Sequence, residues 1–330
     1  MKFHKKMLEI DAAAETDRIV SALRKNVRLM RRYGAVLGIS GGIDSSVVLA
    51  LCVRAFGREK VVAIMMPEKD SDPESEQIAR RLAGHFGVNP TLEGLTPILD
   101  GFGCYPRRDE AIRRVFPDYN SAAGYKAKIV LPQNLLDEGT LNVFTLVVIT
   151  PDGNELRKQL PVREFLQIVA ASNFKQRTRM SMLYYHAEVN NYAVIGTANK
   201  NEHDQGFFVK YGDGGVDIKA IGHLYKTQVY QLAAHLGVPE EIRRRTPTSD
   251  TYGAPCDQQE FFFRLPFETM DLLWFAQENE MPVSEVAQVM QLTEKQVQRA
   301  FDDFTRKKQA TDYLRMPPVD IRSPDAPGAM

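Results

Sequence analysis

The chain has 330 residues, of which 44% are hydrophobic and 25% charged, ordinary proportions for a globular protein. Forty-two basic residues balance 42 acidic ones, which leaves no global electrostatic case for nucleic acid or a membrane surface. No apolar run approaches a membrane-spanning length, and the basic start at Met1–Lys6 passes into Asp11 and Glu15 without the apolar core of a signal peptide.

Residues about 11–33 read as an amphipathic helix with Ile19, Leu23, Val27 and Met30 on one face. Ala35 to Ile39 is a short buried strand, and Ile43 to Phe56 a helix with Val47, Val48, Leu51 and Ala55 at helical spacing. Between them, Gly38-Ile39-Ser40-Gly41-Gly42-Ile43-Asp44-Ser45 turns a strand into a helix through two glycines. Such a turn aims several backbone N–H groups and the positive helix end at one point, which suits a pyrophosphate. Ser40, Ser45 and Ser46 offer hydroxyls, and Asp44 is placed to hold Mg²⁺. Taken alone, the same residues would also suit a plain Gly-Gly turn capped by Asp or Ser. The stretch is neither a Walker A loop, since Gly-Lys-Ser/Thr is absent, nor the fingerprint G-x-G-x-x-G.

Val61 to Pro67 is a second buried strand, and Ser71-Asp72-Pro73-Glu74 offers a capping box with proline in the first turn of a helix running to Phe86. Strand, helix, strand, helix predicts a parallel sheet covered on both faces, with ligands at the carboxyl ends of the strands. Residues about 103–160 break the rhythm with many glycines and prolines and are expected to be an insertion. Within it, 141–150 and 155–160 flank Pro151-Asp152-Gly153-Asn154 as a β-hairpin.

The α/β rhythm resumes at Pro161 and continues to about Val238. Asn173 is expected to cap a helix carrying Phe174 to Met180, and Tyr192 to Ile195 is a strand leading into Gly196-Thr197-Ala198-Asn199-Lys200-Asn201-Glu202. Gly206 to Asp217 packs glycines among lysine, tyrosine and aspartate, poor material for a core but suited to wrapping a polar ligand. A helix follows near Leu224-Tyr225-Lys226, and the turn-rich Pro247–Cys256 reads as a mobile active-site loop. The tail from Glu268 is helical. Within it, Pro282 to Phe301 has helix-turn-helix spacing, but Gln291 stands where the turn commonly has glycine, and the second helix is too acidic for a DNA reader. Cys52, Cys104 and Cys256 are odd in number and widely spaced, which argues against a disulfide framework or a zinc site and predicts a cytoplasmic chain with reduced thiols.

Ser-Gly-Gly-x-Asp-Ser at Ser40–Ser45 resembles the signature of the PP-loop ATP pyrophosphatases. Together with FKQRTRM, GTANKNE, FFVKYGDGGVD, IGHLYKTQ and the Pro247–Asp250 turn, it resembles the NAD⁺ synthetases over about residues 34–250, apart from the insertion. The resemblance implies a doubly wound, mainly parallel α/β fold of the adenine nucleotide α-hydrolase type, pairing as a homodimer. The chain then divides into a synthetase domain, 1–265, carrying the hairpin-containing insertion, and a helical C-terminal tail, 266–330, packed on the same domain.

The implied reaction is ATP-dependent amidation of deamido-NAD⁺ by ammonia through an adenylate. By resemblance, Gly38, Ile39, Ser40, Gly41, Gly42, Ile43, Asp44 and Ser45 hold the ATP phosphates, with Thr197, Lys226 and Thr248 contacting ATP or the departing pyrophosphate. Asp44 and Lys226 are the catalytic pair, Asp44 and Glu202 the Mg²⁺ ligands, and Arg177, Lys210 and Asp217 the deamido-NAD⁺ contacts. Two basic tail segments, Arg306-Lys307-Lys308 and Arg315-Met316-Pro317, compete for a role at the substrate. No glutaminase domain fits before the loop, so ammonia is expected as nitrogen donor, free or delivered by a separate glutaminase subunit. Two other readings stand beside this one: a GMP synthetase-like amidotransferase with the same adenylating loop, and a nucleotide-responsive DNA-binding regulator using the tail helices.

Overall fold

The structure, a computed structural model, describes residues 2–131, 135–136, 143–247, 252–254 and 262–321. In chain order the elements are α1 (Ala12–Leu29), β1 (Ala35–Gly38), α2 (Ile43–Phe56), β2 (Val61–Met65), α3 (Pro73–His85), β3 (Thr91–Leu92), α4 (Thr96–Gly101), α5 (Cys104–Val115), β4 (Lys126–Val130), β5 (Thr145–Ile149), β6 (Glu155–Gln159), α6 (Val162–Asn190), β7 (Ala193–Gly196), α7 (Lys200–Gln205), β8 (Ile218–Lys219), α8 (Lys226–His235), α9 (Glu240–Arg244), α10 (Phe267–Glu278), α11 (Val283–Met290) and α12 (Glu294–Arg315).

The central sheet has the order β3-β2-β1-β7-β8, every neighbouring pair parallel. β1 shows why it is doubly wound. Ala35 and Leu37 point into a core with Ile19 of α1, Val47 of α2, Leu82 of α3 and Val229 of α8, while Val36 faces the other way with Ile64, Val194 and Ala187 of α6. From β1 the chain winds outward to β2 and β3, then returns to lay β7 on the opposite side of β1. The gap between the carboxyl ends of β1 and β7 is therefore the switch point, where such sheets bind ligands.

The 103–160 stretch adds a second, smaller sheet packed on α5 and α6. β4, β5 and β6 form an antiparallel sheet, with the predicted hairpin closing at Thr150 and Asn154, whose backbones bond at 2.9 Å. Ile112 of α5, Ile129, Leu146, Val148 and Ile168 of α6 share its core. A third apolar cluster joins Phe3, Leu8 and Tyr225 to Phe263, Met270, Trp274, Val286, Val297 and Phe304 of the tail.

Four local expectations are corrected. Met30 is exposed, because the helix ends one residue earlier. Asp72, not a Ser71–Glu74 box, caps α3 by accepting from Glu74 N–H at 3.0 Å, while the Ser71 hydroxyl accepts from Glu68 N–H. Asn173 lies inside α6, which starts at Val162, because packing against α5 and the insertion sheet extends the helix upstream. Gln291 adopts φ 57° as the residue closing α11, doing in this turn what glycine would do more readily. Both helices of that pair bury their apolar faces, Val286, Ala287, Val297 and Phe301, in the tail cluster.

Candidate active site

At the carboxyl end of β1 the chain turns through Gly41, whose φ of +78° favours glycine and where a Cβ would stand 2.9 Å from the Ser75 carbonyl. α2 then begins with no side chain capping it, so the first-turn N–H groups remain available to an anion. The serines shape this turn. Ser45 and Ser46 hydroxyls donate to the Gly42 carbonyl at 2.9 and 2.8 Å, and Gly42 N–H donates to the Ser40 hydroxyl at 3.3 Å. Ser46 is wholly buried, so its hydroxyl is a strut of the loop rather than a donor facing out of it.

Asp44, in the first turn of α2, meets residues from across the switch point. Lys226 Nζ donates to its Oδ2 at 2.5 Å, and Asn199 Nδ2 donates to its Oδ1 at 3.0 Å. Lys226 is completely buried at the start of α8. Burial alone would lower its pKa, but Asp44 and Glu202 hold it above the ordinary lysine range. Asn199 sits beyond β7 and caps α7 with Glu202: Glu202 N–H donates to Asn199 Oδ1, and Asn199 N–H to Glu202 Oε2, both at 3.1 Å. Glu202 is pushed up to about 8, first by burial and then by the nearby charge of Asp44. Thr197, half-buried, occupies the bend between β7 and Asn199.

A second layer supports this group. Asn201 accepts from Lys226 N–H at 3.2 Å and donates to Asp271 of α10, whose other oxygen accepts from Thr227 N–H at 2.8 Å. Asp271, wholly enclosed, is pushed up to about 6 by burial. The tail thus reaches the start of α8 through one carboxylate. Asn199, Asn201 and Asp271 went unassigned in sequence; the Asn-x-x-Glu spacing of a capping box was the one available signal for Asn199.

The other sequence-predicted residues fall in different places. Arg177 is exposed on α6 and donates to the Lys210 carbonyl at 3.4 Å, while Lys210 Nζ donates to the carbonyls of Tyr313 and Met316 at 2.8 Å each. Lys210 therefore ties the Gly206–Asp217 loop to the end of the tail, beside a cavity of about 150 Å³ that His203, Phe208, Lys219 and Arg315 also line. Asp217 is exposed yet engaged, accepting from the Tyr184 hydroxyl at 3.0 Å and from Val194 N–H at 2.8 Å. Asp213 accepts from Val209 N–H at 2.8 Å, and burial pushes it up to about 6. Of the competing tail cations, Lys307 pairs with Asp303 at 2.8 Å, and Arg315 donates to the His203 carbonyl at 3.0 Å. Thr248 lies outside the described residues, as does Cys256.

The chain as a whole has relatives among known proteins. The NAD synthase family model matches residues 15–129 and 133–317, and so covers all of the 103–160 stretch except residues 130–132. A protein of Rhizobium meliloti named NH(3)-dependent NAD(+) synthetase is 51% identical over 311 residues, covering 94% of this chain and 92% of its own length. A Thermotoga maritima protein of the same name is 35% identical over 285 residues, covering 84% and 94%. Among solved structures, the NH3-dependent NAD synthetase of Campylobacter jejuni superposes with a TM-score of 0.62 at 23% identity, covering 94% of this chain and all of that one, which speaks for a shared fold. With a glycine loop, a buried lysine and two carboxylates gathered at the sheet's switch point, and with the family model matched along nearly its whole length, this chain belongs to the NAD synthase family.

Proposed function

We propose that the protein amidates deamido-NAD⁺ with ammonia at the expense of ATP, giving NAD⁺, AMP and pyrophosphate. The observation that carries this reading is the meeting of Asp44, Glu202 and the buried Lys226 beneath the loop from Gly38 to Ser45. A nicotinate carboxylate is a poor acyl donor, because its leaving group would be oxide. Attack of that carboxylate on the α-phosphate of ATP forms a mixed anhydride and expels pyrophosphate. The N–H groups of the loop and first turn of α2, with Gly38, Ile39, Ser40, Gly41, Gly42, Ile43 and Ser45, orient the phosphates, and the Lys226 ammonium stabilises charge developing on the leaving group. Thr197 borders the same cleft from β7. Ammonia then attacks the activated carbonyl and displaces AMP, and no enzyme nucleophile is needed.

Mg²⁺ fits the donor set. No cluster of three or more His, Cys, Asp or Glu ligands exists among the described residues, but Mg²⁺ with a nucleotide takes one or two carboxylates and fills its shell with phosphate oxygens and water. Burial first, and then the charge of Asp44, push Glu202 up, and a divalent cation held by the two carboxylates would favour their ionised forms. When bound, the ion would polarise the phosphates and neutralise the leaving group.

Arg177, Lys210 and Asp217 are assigned to deamido-NAD⁺. The adjacency of Arg177 and Lys210 supports the first two, while Asp217 acts there by holding the loop against β7. The 266–330 tail is read as part of the synthetase body, since its cluster includes Phe3, Leu8 and Tyr225. A homodimer is supported by exposed apolar side chains near one end of α6, Tyr185 and Val189 of the helix with Leu29 and Tyr33, where Tyr33 N–H bonds the Asn191 carbonyl at 3.0 Å. No helix among the described residues is long and apolar enough to cross a membrane, in keeping with a cytoplasmic enzyme. A GMP synthetase-like acceptor and the DNA-reading tail are not favoured, since the family match and the buried helix faces both point elsewhere.

Pyrophosphate release from ATP tests the reaction, with deamido-NAD⁺ and ammonium added separately and together. NAD⁺ is expected only with both present. Turnover with xanthosine monophosphate and none with deamido-NAD⁺ would overturn the assignment.

A further inference from the structure

Beside the site lies a second set of buried charges that the reaction does not use. The segment leaving β2, residues 66–72, carries Glu68 and Asp70 inward. Lys175 of α6, with its side chain 2% exposed, pairs with Glu68 at 3.0 Å and with Asp70 at 2.6 Å. Arg108 of α5, 5% exposed, contacts the same Asp70 oxygen and bonds Asp109 through Nε at 2.9 Å. Tyr105 donates its hydroxyl to Glu68 at 2.7 Å, and Ser121 donates to Asp109 at 2.5 Å. Burial would raise the pKa of Asp70, but Lys175 and Arg108 hold it below the usual carboxylate range.

Charges taken so completely out of water rarely add net stability over apolar packing, so a network of this kind is better explained by the geometry that it fixes. Four of its members, Tyr105, Arg108, Asp109 and Ser121, belong to the insertion, and Glu68 and Asp70 belong to the wall of the phosphate loop. That wall is close: a Cβ on Gly38 would stand 2.9 Å from Met66 Cε, and one on Gly41 would meet Ser75 and Ile78 at 2.9 and 3.0 Å. A small shift of residues 66–78 therefore changes the width of the loop. The insertion also holds residues 252–254 against this wall. Tyr252, in the short segment beyond Pro247, is buried in the insertion's core, Ala254 N–H reaches the Ala127 carbonyl at 3.4 Å, and a Cβ on Gly253 would stand 3.2 Å from Asp70 Oδ1.

We propose that the 103–160 segment buttresses the nucleotide site, with Arg108 as a positioning residue that fixes the 66–75 wall through Asp70 and Tyr252 as the anchor of residues 252–254, which pack on the same Asp70. The proposal rests on the reading that the Gly38–Ser45 loop takes ATP. Arg108 touches neither substrate nor reacting atoms. Its guanidinium spans Asp70 and Asp109 with two different nitrogens, a reach that a lysine ammonium reproduces only in part.

The test uses the full chain with Arg108→Met, Arg108→Lys and Tyr252→Ala, reading steady-state kinetics and backbone hydrogen exchange together. Arg108→Met is expected to raise the KM for ATP about tenfold, with kcat and the KM for ammonium little changed, as expected for a coupling residue outside the site. Arg108→Lys should recover part of that loss. Amides of residues 66–75 should exchange faster in Arg108→Met, and those of 252–254 faster in Tyr252→Ala, while the amides of β1 and β7 stay protected. Unchanged exchange in 66–75 overturns the buttress whatever the kinetics. Faster exchange there with an unchanged KM for ATP overturns the link to the nucleotide, while the assignment of the loop stands or falls separately with the pyrophosphate-release assay. Should Arg108→Met not fold, Arg108→Lys and Tyr252→Ala carry the same two readouts, and equal kcat losses without any KM change in both overturn the proposal.

Discussion

Lys226 is a fully buried ammonium bonded to Asp44, and Asp44 and Glu202 together hold it above the ordinary lysine range against the effect of burial. Asp44→Asn and Glu202→Gln are each expected to lower kcat by at least about 100-fold, the size of a lost electrostatic contact in a transition state. A variant with near-normal turnover removes its residue from the proposed Mg²⁺ site. Glu202 also leaves a signature in stability. Its folded pKa, about 8, lies above the ordinary 4.5, so the folded state binds the proton more tightly and stability falls as pH rises between those values. Asp213 and Asp271, pushed up to about 6, act in the same direction but have largely lost their protons by about pH 7. The melting temperature of the ligand-free protein should therefore decline from pH 6 to 8, and Glu202→Gln should flatten the part of that decline above about pH 7. A decline of equal slope in the variant would show that Glu202 is ionised throughout.

At the level of elements, the turns show where the chain accepts backbone strain. Gln291 closes α11 at φ 57°, a conformation in which glycine avoids the clash of a Cβ with the backbone. Gln291→Gly is expected to raise stability by about 0.5–1 kcal/mol, read from denaturant midpoints, with activity unchanged. Gly206 is the reverse case. It ends α7 at φ +79°, and a Cβ there would stand 2.2 Å from Thr311 Cβ of α12. Gly206→Ala should cost about 2–4 kcal/mol, combining left-handed strain with an overpacked contact. Because that contact seats the tail beside Lys210 and Arg315, the variant should also raise the KM for deamido-NAD⁺; a loss of stability with that KM intact would separate the tail from the substrate.

For the whole molecule, the tail cluster sets a limit on what can be removed. Phe3, Leu8 and Tyr225 are covered by α10, α11 and α12, so a chain ending at residue 265 is expected to aggregate rather than fold; a soluble, cooperatively melting truncation would make the tail a separate domain. The strand–helix alternation, the Gly38–Ser45 turn and the hairpin around Pro151–Asn154 were legible in sequence because each rests on residues near one another along the chain. Apolar spacing marks a helix, and a Gly-Gly turn between strand and helix marks an anion site, with no knowledge of what packs against either. Asp44 and Glu202 could be named as partners only through resemblance to a family, since 158 positions separate them in the sequence. That Asn199 bonds Asp44 while capping α7, that Asp271 of the tail braces the start of α8, and that Arg108 of the insertion grips Asp70 were decided by the tertiary structure alone. Charge pairs carry no periodicity and little local propensity, so only the packing of distant elements determines which of the many aspartates and arginines meet.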